Sequence, residues 1–142
     1  MKIVSWNCRG LGSWTKEESM KDLIRISNPD ILLIQESKLE EQTFLLSSKI
    51  FWKKSESLAV RSRGASGGLG TLWNSNKFKL VRSISTNHWI LTEFLQKDTG
   101  LKVSLFNIYV PVLLFKKKNF VGTIYKIICL VMLWRISSLL GI

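Results

Sequence analysis

The sequence predicts an α/β fold led by two buried strands, and three observations carry the prediction. Residues 2–7 and 31–36 are short apolar runs, each ending on a polar side chain, Asn7 in the first and Glu36 in the second. Between them the apolar residues recur at helical spacing. After them come several alternating runs separated by turn residues. The expected order is strand, helix, strand, helix, then a series of antiparallel strands.

Residues 2–7 are largely apolar on both faces, which suits a central strand. Asn7 sits where this strand gives way to Gly10 and Gly12, where it either offers its amide to a site or caps the turn. Thr15 followed by Glu18 has capping-box spacing and opens a helix to about Ser27, with Met20, Leu23, Ile24 and Ser27 along one side. Asn28-Pro29 closes it. The second strand follows and ends at Glu36, a carboxylate that reads either as a metal ligand or as a solvated strand end. Residues 40–50 form a second helix that turns Phe44, Leu45 and Ile50 towards the sheet. Phe51-Trp52-Lys53-Lys54 then leads into a basic stretch containing Arg61 and Arg63. That stretch is either a rim for nucleic-acid phosphates or a strand edge kept soluble by charge. Residues 67–73 combine a glycine-permitted turn with a strand. They lack the Gly-Lys-Ser/Thr ending of a nucleotide triphosphate cradle. Strands over 78–81, 89–95 and 101–110 complete the run, the last two joined by a turn at Lys97-Asp98-Thr99-Gly100.

Four stretches, in order, carry a family likeness: Lys2-Ile3-Val4-Ser5-Trp6-Asn7, Asp30-Ile31-Leu32-Leu33-Ile34-Gln35-Glu36-Ser37-Lys38, Ser66-Gly67-Gly68-Leu69-Gly70 and Asn107-Ile108-Tyr109-Val110-Pro111. Together they resemble the endonuclease/exonuclease/phosphatase family, and within it most the endonuclease domain of plant LINE-type (non-LTR) retrotransposon polyproteins. The resemblance implies an α/β sandwich with a mostly antiparallel mixed sheet and flanking helices. It also implies a metal-dependent phosphodiesterase acting on DNA. Asn7 and Glu36 would lie at the metal, Mg²⁺, and Tyr109 would be the catalytic tyrosine whose hydroxyl helps hold the scissile phosphate. The rival reading of Tyr109 is a core tyrosine. Two protein ligands make a weak Mg²⁺ site, since that ion keeps most of its waters. Arg61 and Arg63 are the candidate nucleic-acid contacts. At Arg9 many relatives that cleave at abasic sites carry an acid, so Arg9 points to the retroelement branch. His88, the one histidine, does not match the family's catalytic histidine, which follows an Asp near the C-terminus.

The likeness covers residues 1–111 and stops there. A full-length relative would continue to a Gly-Asp-x-Asn motif and a final Ser-Asp-His, whereas no Asp or Glu follows Asp98 here. The expectation is an incomplete sandwich over residues 1–111, a divergent basic and apolar tail over 112–142, and a truncated, inactive relic of a Mg²⁺-dependent phosphodiesterase. One alternative is a non-catalytic nucleic-acid-binding module using Lys53, Lys54, Arg61, Arg63, Lys77, Lys79 and Arg82. A further one is a protein tethered to a membrane by residues 120–142, where Lys126 and Arg135 are the charged residues. The uninterrupted apolar run over 127–134 is too short to span, which argues against it.

Charge fits the nucleic-acid readings. The chain carries 21 Lys and Arg against 10 Asp and Glu, a net +11, which favours polyanionic partners. Five of those bases lie beyond residue 111, so the family-like part keeps 16 against 10, or +6. Cys8 and Cys129 have no metal-type spacing and suggest neither a zinc site nor a disulfide framework. No small-molecule cofactor motif is present. The chain begins directly on a strand pattern with no apolar leader, so the expected setting is intracellular, nuclear or cytoplasmic, and not secreted.

Overall fold

The structure, a computed structural model, describes residues 1–63 and 66–110. The chain divides after Tyr109, and the unit Met1–Tyr109 carries every element described below. The expectations for a divergent or membrane-tethered tail fall outside the described residues. Among the described residues no helix is long and apolar enough to cross a membrane.

The described residues form seven strands and two helices in the order β1 (Ile3–Asn7), α1 (Trp14–Ser27), β2 (Ile31–Gln35), α2 (Glu41–Phe51), β3 (Ser55–Arg63), β4 (Ser66–Asn74), β5 (Phe78–Ser85), β6 (Trp89–Gln96) and β7 (Lys102–Ile108). The strands make a four-stranded sheet ordered β1-β2-β4-β3 and a three-stranded sheet ordered β5-β6-β7. β1 and β2 are parallel, with Asn7 opposite Gln35. The other pairings among these strands are antiparallel.

The alternation of side chains along β2 explains the layering. Leu32 and Ile34 point to a core shared with Met20, Phe44 and Phe51 of the helices. Ile31 and Leu33 point the other way, to a second core shared with Trp73, Phe78 and Phe94. A strand buried on both faces reads as a continuous apolar run for this reason. Phe44 and Met20 are fully enclosed, and burial of such a side chain stabilises by about 1.5–3 kcal/mol. Gly70 is required by this packing, since a Cβ there would fall inside the Phe44 ring.

Three local expectations are corrected. β1 is not a central strand: it ends the four-stranded sheet of the described residues, and Ile3, Ser5 and Asn7 are exposed. The N-cap of α1 is Ser13, not Thr15: its extended backbone lets the hydroxyl accept from Lys16 N–H at 3.3 Å, and Glu18 instead bonds the Lys21 ammonium at 2.7 Å. In α2 the buried stripe is Phe44, Ser48 and Phe51, while Ile50 is 61% exposed. Extending the helix to Phe51 moves the last core position one residue on. The end of α1 is as expected, with Asn28 in the left-handed region (φ 44°) and its N–H on Ile24 O.

Candidate functional site

The strands of the first unit can be placed by which end they share with Asn7. Parallel pairing of β1 and β2 puts Asn7 and Glu36 at one end, and β7, running from Lys102 up to Ile108, delivers Tyr109 there. Asn7 donates its amide N–H to Glu36 Oε1 at 3.3 Å, and its Oδ1 accepts from Arg9 N–H at 3.2 Å. The Tyr109 hydroxyl donates to the Glu36 carboxylate. The structure therefore brings Asn7, Glu36 and Tyr109 into one hydrogen-bonded group.

The backbone beneath this group is tightly specified. Arg9, Glu36 and Lys38 all have positive φ (51°, 52° and 56°), a region that side chains other than Gly, Asn and Asp seldom adopt. The conformation persists because residues 8–11 and 36–38 are bonded to each other and to β4. Cys8 N–H meets Gln35 O at 3.0 Å, Gly10 N–H meets Glu36 O at 2.7 Å, and Leu11 N–H meets Ser37 O at 2.9 Å. Ser37 and Lys38 N–H in turn meet Gly68 and Gly67 O at 3.1 and 3.0 Å. Gly68 (φ 88°) lies so close that a Cβ would collide with the Ser37 hydroxyl. Non-glycine residues held in this region cost about 1–3 kcal/mol each, and such outliers cluster at functional sites.

A second network holds the tyrosine strand against β2. Asn107, 1% exposed, donates from Nδ2 to Ile34 O at 3.1 Å and Gly70 O at 2.8 Å, and its Oδ1 accepts from Gln35 Nε2 at 2.7 Å. Gln35 reaches Ser5 Oγ at 3.0 Å as well. One buried amide thus ties the three-stranded sheet to β2 and β4 just below Glu36 and Tyr109. Sequence reasoning missed it. The available signal was parity: Asn107 and Gln35 are polar residues at inward positions of otherwise apolar runs.

Electrostatics favour an ionised Glu36. The Tyr109 hydroxyl bond lowers its pKa most. Partial burial opposes this, and the Asn7 bond and the nearby Lys38 and Arg9 charges add to the lowering. The Tyr109 pKa moves up, through burial, its bond to Glu36 and the Glu36 charge. Burial likewise raises the pKa of the Cys8 thiol beneath the loop. Lys38 runs past Gly10, in ordinary contact with the position a Cβ would take. Lys38 and Arg9 thus flank Glu36.

The donor set suits a hard cation: a carboxylate held ionised and an amide oxygen with one lone pair unused by Arg9. Two such ligands beside two cationic side chains make for weak binding. Among the described residues there is no group of three or more His, Cys, Asp and Glu.

Arg61 and Arg63 lie on the edge strand β3, exposed, at the Asn7 end of the sheet, with Arg63 opposite Ser66. They sit two strands across from β2, a backbone distance of ~10 Å. Three other members of the expected basic surface do not join them, since Lys53, Lys54 and Lys77 lie at the opposite end, in the turns before β3 and β5, while Lys79 and Arg82 lie along β5, Arg82 paired with Glu93 at 3.2 Å. His88 is at the Asn7 end, where its carbonyl accepts from Tyr109 N–H at 2.8 Å.

A sequence profile described as the Endonuclease/Exonuclease/phosphatase family matches residues 4–136, a span that passes the point where the motif likeness ends. A curated relative is the DNA repair nuclease APEX1 of Danio rerio, 48% identical over 42 residues, which are 30% of this chain and 13% of that protein. Among solved structures, the AP endonuclease LMAP of Leishmania major superposes with a TM-score of 0.59 at 17% identity, covering 78% of this chain and 40% of that one. The 3′ phosphatase NExo of Neisseria, solved with a product DNA hairpin, gives a TM-score of 0.55 at 18% identity, covering 73% and 40%. The chain thus spans well under two thirds of the length of each.

Proposed function

The chain belongs to the endonuclease/exonuclease/phosphatase family, and from that premise we propose that Asn7, Glu36 and Tyr109 are the phosphate- and metal-holding part of a nucleic-acid phosphodiesterase site. The observation that carries the reading is the contact of Tyr109 and Asn7 with one ionised carboxylate. Residues from both sheets converge on that group, on a backbone held in costly left-handed conformations. Members of the family generally use divalent metals. Here Glu36 and Asn7 would hold one, and it would supply polarisation of a phosphoryl oxygen. The chain's own groups do the rest. Lys38 and Arg9 attract the phosphate, and the Asn7 amide and the Tyr109 hydroxyl keep Glu36 oriented and charged.

Hydrolysis further needs an aligned water and a stabilised leaving oxygen. Of the 142 residues none after Asp98 is acidic, and among the described residues no three or more His, Cys, Asp and Glu come together as a metal-holding group. We therefore assign this chain binding without useful cleavage, since loss of even one preorganised contributor commonly costs about a hundredfold to a thousandfold. Arg9, in place of an acid, supports the retrotransposon-type branch. A non-catalytic nucleic-acid-binding module is the second reading, and the Lys38 and Arg9 charges around Glu36 favour it.

A supercoiled-plasmid nicking assay with Mg²⁺, run on the wild type and Glu36→Ala, tests the assignment. Neither form should nick, and both should retard DNA at low salt. Nicking by the wild type that disappears in Glu36→Ala would overturn the assignment of inactivity and leave the site intact as an enzyme's.

A further inference from the structure

The end of the sheets opposite Glu36 is built from three turns, and each carries lysine. The α2–β3 turn holds Lys53 and Lys54, the β4–β5 turn Lys77 and the β6–β7 turn Lys97. These turns are bonded into one rim. Lys54 O accepts from Ser75 N–H at 3.2 Å and from Ser75 Oγ at 3.0 Å, Lys97 N–H meets Lys77 O at 2.9 Å, and the Lys97 ammonium meets Ser75 O at 2.6 Å. The lysines are therefore held together rather than carried on independent loops.

Their charge is poorly offset. Asp30, the enclosed acid of this end, is committed to the Lys77 ammonium at 2.7 Å and to Lys2 N–H at 2.7 Å. Lys53, Lys54 and Lys97 make no ion pair among the described residues. Glu56 and Asp98 are the other acids nearby, and both are exposed. Ammonium groups gathered on one rim repel one another, and a polyanion relieves that repulsion while releasing its own counterions.

We propose that the Lys53, Lys54 and Lys97 rim, in which Lys77 is spent on Asp30, is a second nucleic-acid surface, which holds phosphate backbone without reading bases. It lies ~20 Å along β4 from the level of Glu36, taking six residues at strand rise. Lysines act as point charges, which suits backbone contact and carries no sequence information. The proposal rests on the reading that the chain's partner is a nucleic acid.

The test is fluorescence anisotropy of the whole chain with a labelled duplex of ~20 base pairs across a salt series. Three proteins are compared: wild type, Lys53→Gln/Lys54→Gln and Arg9→Gln/Lys38→Gln, each checked by circular dichroism. Every phosphate that is no longer neutralised takes about 0.9 off the log–log salt slope, so Lys53→Gln/Lys54→Gln should flatten it by about 2. An unchanged slope in that variant, with a flatter one in Arg9→Gln/Lys38→Gln, overturns the rim and leaves the site reading standing. No duplex binding by the wild type overturns both. Phosphatidylserine vesicles that bind the rim and displace the duplex would assign it to a lipid surface and overturn the proposal.

Discussion

Strand β2 has a carboxylate at each end, Asp30 before it and Glu36 after it, and the two are held in opposite ways. Asp30 is 9% exposed and ion-paired. Burial pushes its pKa up, but the Lys77 bond, the Lys2 N–H and the charges of Lys77 and the N-terminus outweigh this and lower it. Glu36 is half-buried and its pKa is lowered first by a neutral donor, the Tyr109 hydroxyl. A carboxylate neutralised by an ammonium has spent its charge on the fold. One held by neutral hydroxyl and amide donors keeps its negative charge and leaves lone pairs for something else. A lowered pKa alone therefore does not tell these two kinds of acid apart; the nature of the donors does.

The largest effect should come from the buried amide that positions the Glu36 end. Asn107→Leu removes the amide donor to Ile34 O and Gly70 O and one of the two acceptors of Gln35 Nε2, and should destabilise by about 3 kcal/mol or more in urea unfolding. The same variant loosens Tyr109 from Glu36, so the Glu36 pKa, followed by carboxyl NMR, should rise towards its ordinary value.

Next in size is the Asp30 end. Asp30→Asn should cost about 2 kcal/mol at neutral pH, the scale of hydrogen bonds to a charged group. Because the folded pKa of Asp30 is lowered, its contribution is complete above the unfolded carboxylate value of about 4 and is lost as pH falls through the folded value. Stability curves from pH 6 downwards should show this acid limb in the wild type and a weaker one in Asp30→Asn.

Smallest is the change that sharpens the contrast. Glu36→Gln should alter stability by no more than about 0.5 kcal/mol, because the group is partly exposed and makes no ion pair among the described residues. It should still lower the Tyr109 pKa, which Glu36 holds up through its bond and its charge. The difference between the two proteins in ultraviolet tyrosinate titration reads that shift.

The fold was legible because its strands are apolar on the faces they bury: Leu32 and Ile34 towards the helices, Ile31 and Leu33 towards the second sheet. Asn7, Glu36 and Tyr109 were legible from motifs at strand ends. Less visible was anything decided by three-dimensional neighbours. Ser13 and Thr15 are both competent caps, and backbone entry angle chose the first. Ile50 and Phe51 are adjacent apolar residues, and the length of α2 decided which one enters the core. The basic residues formed one surface when pooled along the sequence, yet strand direction separates Arg61 and Arg63 from Lys53, Lys54 and Lys77. The hold of Asn107 on β2 depends on a pairing between sheets that no local pattern records.

That hold also orders events in time. The Asn107 amide closes on Ile34 O across 73 residues of chain, so the group around Glu36 belongs to the non-local contacts that folding must reach by slow loop closure. Strand β2, packed on α1 and α2, can assemble from the first half of the chain alone. Tyr109 cannot reach Glu36 until the three-stranded sheet has docked, so a nascent polypeptide would acquire the core between β2 and the helices first, and the second core and the Tyr109–Glu36 bond only afterwards. Pulse-labelled hydrogen exchange during refolding should find the β2 amides protected before the Tyr109 amide is shielded on His88 O.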